Sequence, residues 1–205
     1  MNKKIILFDI DRTIFNTESL GENVYKSIAA ATNKTINEID LINQDYKKEL
    51  ESKTDFNSDD FLKKVADETG TSLEILNQAM FKVENFVLYP EVLEILEKLS
   101  LEEVDLGIYS EGVLEWQKKK IVLTKVIDYF DPELIFIERR KLSRESINKI
   151  PSGVMVVDDK KEVIETLRQL RPDLELVWIN RKNEEKLEAP QIKTIKSLDE
   201  LLAMN

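Results

Sequence analysis

The spacing of apolar positions changes twice along this chain, and each change marks a new kind of element. Lys4 to Phe8 is a short, nearly unbroken β-branched and aromatic run, which predicts a strand buried on both faces. From about Thr17 to Val87 the period is helical. Leu20, Val24 and Ile28 recur at i, i+4 and i+8, an amphipathic stripe. Thr35 with Glu38 forms a capping box ahead of Ile36, Ile39, Tyr46 and Leu50. Phe61, Leu62 and Val65 make a third stripe, which Gly70 ends as a left-handed cap. Thr71 with Glu74 predicts a fourth helix, with Leu73, Leu76, Met80 and Val83 facing inward. Four helices without a strand predict a small bundle inserted after the first strand.

At Tyr89-Pro90 the pattern changes again. Pro90 suits the first turn of a helix that buries Val92, Leu93, Leu96 and Leu99. Strand-like runs follow at Asp105–Tyr109, Glu133–Ile137, Val154–Val157 and Leu174–Ile179. Between them lie helix-like stretches at Leu114–Ile127 and Ser143–Ile150, and along Val163, Ile164, Leu167 and Leu170. Ser197 with Glu200 caps a final helix. Such alternation predicts an α/β core, a parallel sheet covered by helices on both faces. The expected division is a core of residues 1–15 and 89–205, with an all-helical unit of residues 16–88 inserted in it.

Composition narrows the chemistry. The 205 residues fit one core domain with a smaller insert. Thirty basic against forty acidic residues leave a net charge of −10, so neither nucleic acid nor an anionic membrane is an expected partner. Absence of cysteine removes disulfides, thiol nucleophiles and thiolate zinc sites; absence of histidine removes imidazole bases and His-ligated metals. No run approaches the ~20 apolar residues of a membrane span. The first apolar run stops at Asp9, short of the ~7–15 residues of a signal-peptide core, so a cytoplasmic location is expected. The charge clusters KKEL, KKK and NEEK are expected to be solvated faces and loops.

Three predicted strands end in polar residues, where open α/β sheets bind their ligands. The first ends in Asp9-Ile10-Asp11, whose carboxylates, two apart in extended chain, can share one cleft. The second ends in Tyr109-Ser110-Glu111-Gly112, a hydroxyl and a glycine where backbone amides can hold an anion. The fourth ends in Asp158-Asp159. Two such carboxylate pairs repel unless a cation or a shared proton intervenes, and an all-oxygen ligand set favours Mg²⁺ over zinc.

In order and spacing, these motifs resemble the haloacid dehalogenase-like superfamily. FDIDRT matches its first motif, Asp-x-Asp-x-Thr; LGIYSEG matches the second and VMVVDD the fourth. The stretch from Glu115 to Lys141 is similar to the segment between the second and third motifs. The resemblance implies a Rossmann-like core with a helical cap, and it implies roles. Asp9 is the nucleophile that forms an aspartyl-phosphate, and Asp11 the acid–base group. Mg²⁺ is held by Asp9, the backbone carbonyl of Asp11 and Asp159, with Asp158 a ligand directly or through water. Ser110 and the neighbouring amides of Glu111 and Gly112 bind the phosphoryl group. Lys141 is the best-placed third-motif cation, with Arg139, Arg140 and Lys149 as competitors. The chain departs from the pattern at Arg12, where the family often has glycine, and at Asn16-Thr17, where capped members commonly have Asp-Thr. Because the superfamily's dehalogenases lack an Asp at the position of Asp11, the implied activity is hydrolysis of a small phosphorylated metabolite. A phosphomutase of the same fold and a non-catalytic binding module are the alternatives.

Overall fold

The computed structural model describes every residue except 1, 2, 103, 183, 184, 188, 190, 191 and 205. Its sheet has six strands, β1 (Ile5–Phe8), β2 (Asp105–Glu111), β3 (Ile135–Glu138), β4 (Met155–Asp158), β5 (Glu175–Ile179) and β6 (Ile192–Ile195). They run parallel in the order β3-β2-β1-β4-β5-β6. This is a doubly wound, Rossmann-like sheet. Connections reverse direction between β1 and β4, so the crevice at the carboxyl ends of those two strands is the topological switch point. Both strands end there in aspartates.

Alternation along β1 divides the core into two layers. Ile6 and Phe8 face the cluster that contains Val92, Leu96 and Leu99 of α5 (Val92–Leu101) and Trp116 and Ile121 of α6 (Leu114–Leu123). Leu7 faces the other side, with Ile147 of α7 (Arg144–Lys149) and Val163, Ile164 and Leu167 of α8 (Lys161–Leu170). Gly107 lets β2 pass under its neighbours: a Cβ there would lie 2.5 Å from the Leu134 carbonyl oxygen and 2.6 Å from Leu7 Cδ2. Of the expected elements, the helix after Val113 is shorter than its pattern, stopping at Leu123, and the closing helix is a 3₁₀ turn over Leu198–Met204. β6 was not expected. Its IKTI sequence is an edge strand with a lysine and a threonine outward, which shows no clean apolar run.

Four helices intervene between β1 and α5, namely α1 (Thr17–Thr32), α2 (Ile36–Lys48), α3 (Ser58–Thr69) and α4 (Leu73–Met80). The Thr35/Glu38 capping box is formed, and Gly70 ends α3 at φ +71°. The cap of α4 is Ser72, whose Oγ accepts from Ile75 N–H, one residue beyond the expected Thr71. In that register Leu76, Ala79 and Met80 face inward, while Leu73 and Val83 lie exposed. Leu93 and Leu170 are also exposed, because their helices bury a narrower stripe than the apolar positions allow. Apolar packing runs without a break from the insert into the α/β part: Trp116 lies 5.4 Å, centroid to centroid, from Phe56 and 6.2 Å from Phe86. No helix among the described residues is long and apolar enough to cross a membrane.

Candidate active site

β1 runs directly into the site. Asp9 N–H donates to Val157 O (2.9 Å), which holds Asp9 in step with β4. The chain then folds tightly on itself, with Arg12 N–H donating to Phe15 O (2.8 Å) and Phe15 N–H to Ile10 O (2.9 Å). Arg12 takes φ +61°, the left-handed region, which accounts for glycine at this place in the pattern it resembles. Its Nε donates to Glu18 Oε1 (2.6 Å), so the side chain is tied to the first turn of α1.

Asp9 is 2% exposed. Its Oδ1 accepts from Ser110 Oγ (3.0 Å) and from the Lys141 ammonium (2.9 Å). Its Oδ2 is buried without a hydrogen-bond partner. Lys141 is wholly buried and also ion-pairs with Asp158 Oδ2. Burial alone would lower its pKa, but the charges of Asp158 and Asp9 and their hydrogen bonds outweigh burial and hold it above the usual lysine range. The lysine backbone is fixed too. Its carbonyl accepts from the buried Tyr109 hydroxyl, and its N–H donates to Glu111 Oε1 (3.3 Å). The competing cations lie elsewhere: Arg139 and Arg140 pair with Asp55 of the helical insert, and Lys149 pairs with Glu138.

Carboxylate oxygens of Asp9, Asp158 and Asp159 lie within 4.8 Å of one another. Burial, and next the negative charge of Asp9 and Asp158, raises the Asp159 pKa above the ordinary carboxylate range. Burial likewise raises Asp158, against the pull of Lys141. One ammonium among three carboxylates leaves charge unbalanced. The donor set is all oxygen and clustered, so these residues fit a hard divalent cation such as Mg²⁺. The Asp11 carboxylate stands outside this cluster, which leaves its backbone carbonyl as the atom to consider.

Asp11 has a different environment. Its carboxylate accepts from Thr17 Oγ1 (2.7 Å), Gln117 Nε2 (2.8 Å) and the Lys120 ammonium (2.6 and 2.7 Å). Burial pushes its pKa up, but the charge and hydrogen bond of Lys120, with Gln117 and Thr17, win and hold it at about 2. Lys120 and Gln117 were missed in sequence. The KKK cluster, expected to be solvated, instead has its last lysine 3% exposed. A signal existed: Trp116 and Lys120 are i and i+4 on α6, so the lysine shares the buried face of the tryptophan.

Ser110, Glu111 and Gly112 are placed only in part as anticipated. Ser110 reaches Asp9, but the Glu111 carboxylate pairs with Lys160 (3.1 Å) and Gly112 N–H donates to Glu138 O (2.9 Å). That amide is committed to the β2–β3 edge, which corrects the expectation that it faces a phosphoryl group. Gly112 instead makes room for Gln117, whose Nε2 would lie 2.9 Å from a Cβ there. Of NEEK, Asn183 and Glu184 lie outside the described residues. A cavity of about 480 Å³ opens beside Asp11, between the insert and the sheet, and is lined by Trp116, Gln117 and Lys120 among others.

Comparison with known proteins places the fold and the family. No curated protein sequence matches the chain significantly. The fold is shared with the HAD-hydrolase YfnB of Bacillus subtilis, whose structure is bound to magnesium (19% identity, TM-score 0.66, 100% of this chain and 99% of that one). It is also shared with a HAD phosphatase from Thermococcus onnurineus (23%, 0.63, 99% and 97%). A third similar structure is the L-2-haloacid dehalogenase of Xanthobacter autotrophicus (14%, 0.61, 99% and 98%). The family model of haloacid dehalogenase-like hydrolases matches residues 6–149. With that match and the acidic strand ends in place, the chain belongs to the haloacid dehalogenase-like hydrolases.

Proposed function

We propose that this hydrolase is a Mg²⁺-dependent phosphatase that cleaves a small phosphomonoester through an aspartyl-phosphate on Asp9. Its similar structures include both a phosphatase and a dehalogenase, so the family alone leaves the reaction open. The carrying observation is Asp9: one carboxylate oxygen is held by Ser110 and Lys141, and the other is buried and unpartnered. An oxygen fixed in place with its lone pairs free is what attack at phosphorus requires. A second carboxyl two residues on, Asp11, then favours a phosphoester over a halide, because an alkoxide leaving group needs a proton and a halide does not.

When bound, Mg²⁺ would be held by Asp9, the Asp11 backbone carbonyl and Asp159, with Asp158 a ligand directly or through water, and it would supply charge neutralisation at the phosphoryl oxygens. Asp9 Oδ2 forms the bond to phosphorus as the ester P–O bond breaks. Asp11 gives its proton to the leaving oxygen, then takes one from the water that attacks the acyl phosphate and restores Asp9. In the structure Asp11 is held ionised by Lys120, so the acid step requires that pair to part. Lys141 neutralises charge on Asp9 and on the incoming phosphate. The helical insert, which we propose acts as a cap of residues 16–88, walls the cleft from bulk water. A panel of phosphomonoesters assayed with Mg²⁺ and in excess chelator tests the reading. Hydrolysis should need the metal and vanish in Asp9→Asn with the fold retained. Turnover by Asp9→Asn above a trace would make another group the nucleophile.

A further inference from the structure

The cavity beside Asp11 is lined unlike the rest of this acidic chain. Five cations face it (Arg12, Lys47, Lys53, Lys120 and Lys160), against the two acids Asp11 and Glu111. Three of the cations are already matched, Lys120 with Asp11, Lys160 with Glu111 and Arg12 with Glu18. Lys47 and Lys53 have no carboxylate at ion-pair distance among the described residues, although the chain as a whole carries a net charge of −10. Burial lowers the Lys47 pKa; the charge of Asp40 opposes that, and the charge of Lys53 adds to it. Two cations that line one cavity and make no ion pair among the described residues form a place for an anion.

The apolar part of the same wall is Leu20, Val24 and Met80 with the rings of Phe56, Phe61 and Trp116. Phe56 packs against both other rings, at 5.7 Å from Phe61 and 5.4 Å from Trp116. The uncharged polar groups are Thr17, Tyr25, Asn43, Thr54 and Gln117; those of Tyr25 and Asn43 are hydrogen-bonded to each other. Most of the accessible lining is nonetheless apolar, so a flat apolar body covers it, whereas a polyol would set hydroxyls against Leu20, Val24, Met80 and the three rings. The volume of about 480 Å³ also exceeds what a phosphoryl group alone would occupy, and it falls in the ~300–1,000 Å³ range of small-molecule sites.

We infer that the substrate class is a phosphomonoester of a planar, apolar alcohol bearing a second anionic group at its far end. Its body lies against Phe56, Phe61 and Trp116, and its distal anion lies by Lys47 and Lys53. The inference rests on Asp9 being the phosphoryl acceptor. Benzyl phosphate, 4-carboxybenzyl phosphate and glucose 6-phosphate test it, because all three release a primary alkoxide and their kcat/KM ratios read the body rather than the leaving group. With Mg²⁺, benzyl phosphate should exceed glucose 6-phosphate by at least about tenfold, and the carboxylate should add at least about tenfold more, the scale of one charge-assisted contact. In the double variant Lys47→Met, Lys53→Met the ratio of carboxybenzyl to benzyl phosphate should fall to about one, as expected for loss of that contact. Calorimetric binding of the same compounds to Asp9→Asn with Mg²⁺ should follow the same order. Equal kcat/KM for all three, a preference for glucose 6-phosphate, or a carboxylate advantage that survives the double variant would overturn the inference and leave the phosphatase reading intact. The expected binding order with no hydrolysis of any compound would do the reverse.

Discussion

Lys141 sits between two carboxylates that have no other cation at ion-pair distance among the described residues, which makes its removal costly in two separable ways. In Lys141→Met, Asp9 and Asp158 are left buried and facing each other, and breaking a buried pair from one side costs about 3–5 kcal/mol. The melting temperature should fall accordingly, and Mg²⁺ should restore part of it. Turnover should fall about 10²–10³-fold, as for loss of one preorganised charge in the transition state. Arg139→Ala, Arg140→Ala and Lys149→Ala should stay near normal; collapse in any of them would move the third-motif cation. Lys120 acts on Asp11 with the opposite sign from burial. The Asp11 pKa is about 2 in the fold and about 3.9 in an unfolded chain, so its contribution to stability is complete above about pH 4 and fades as pH falls toward 2. In Lys120→Met burial prevails and the folded pKa rises, so this acid-side loss should disappear. Melting temperatures measured from pH 4 to 2 should therefore fall less steeply in the variant, and equal slopes would refute the pairing.

At the scale of elements, β2 is limited by Gly107 and α1 is not limited by Gly21. A Cβ at Gly107 meets a backbone carbonyl at 2.5 Å, which no rotamer change relieves, whereas at Gly21 nothing lies within 4 Å. Gly107→Ala should cost at least the ~1–3 kcal/mol of overpacking, and Gly21→Ala should gain about 0.5–1 kcal/mol as a mid-helix replacement. Chemical denaturation of both variants checks the pair, and a neutral Gly107→Ala would show that β2 and β3 can separate freely. Elements with local signals were legible from sequence: β1 by its apolar run, α2 by a capping box three residues wide, and α3 by the glycine that ends it. The Thr71/Glu74 pattern sets the start of α4 one residue early, because Ser72 beside it can equally accept from a first-turn amide and does so. β6 was illegible because half its side chains face water at the sheet edge.

At the scale of the molecule, metal, protons and stability are linked through one cluster. Raised pKa values at Asp158 and Asp159 mean that the metal-free fold holds protons there which the unfolded chain gives up. That contribution is present below about pH 4 and is lost as pH rises toward neutral. Mg²⁺ held there, as proposed, would replace those protons. It should therefore raise the melting temperature more at pH 8 than at pH 5, and its binding at pH 5 should release protons to the buffer. An equal shift at both pH values would show that the cluster is not where the metal acts.

The local code determined much of this protein. Short apolar runs, helical stripes and caps specify the order of strand, four-helix insert and alternating α/β elements, because each depends on residues no more than a turn or two apart. The same locality made Asp9, Asp11, Ser110, Asp158 and Asp159 legible as strand-end groups, since strand period and position suffice to bring them to one edge. Tertiary structure alone decided which cation meets which acid. Lys141 and Arg140 are chain neighbours, yet one is buried against Asp9 and the other pairs with Asp55. Lys119 and Lys120 are likewise adjacent, yet only Lys120 reaches Asp11. Charge has no period of its own, so a lysine's role follows from which face packing buries, and that choice is made by residues a hundred positions away.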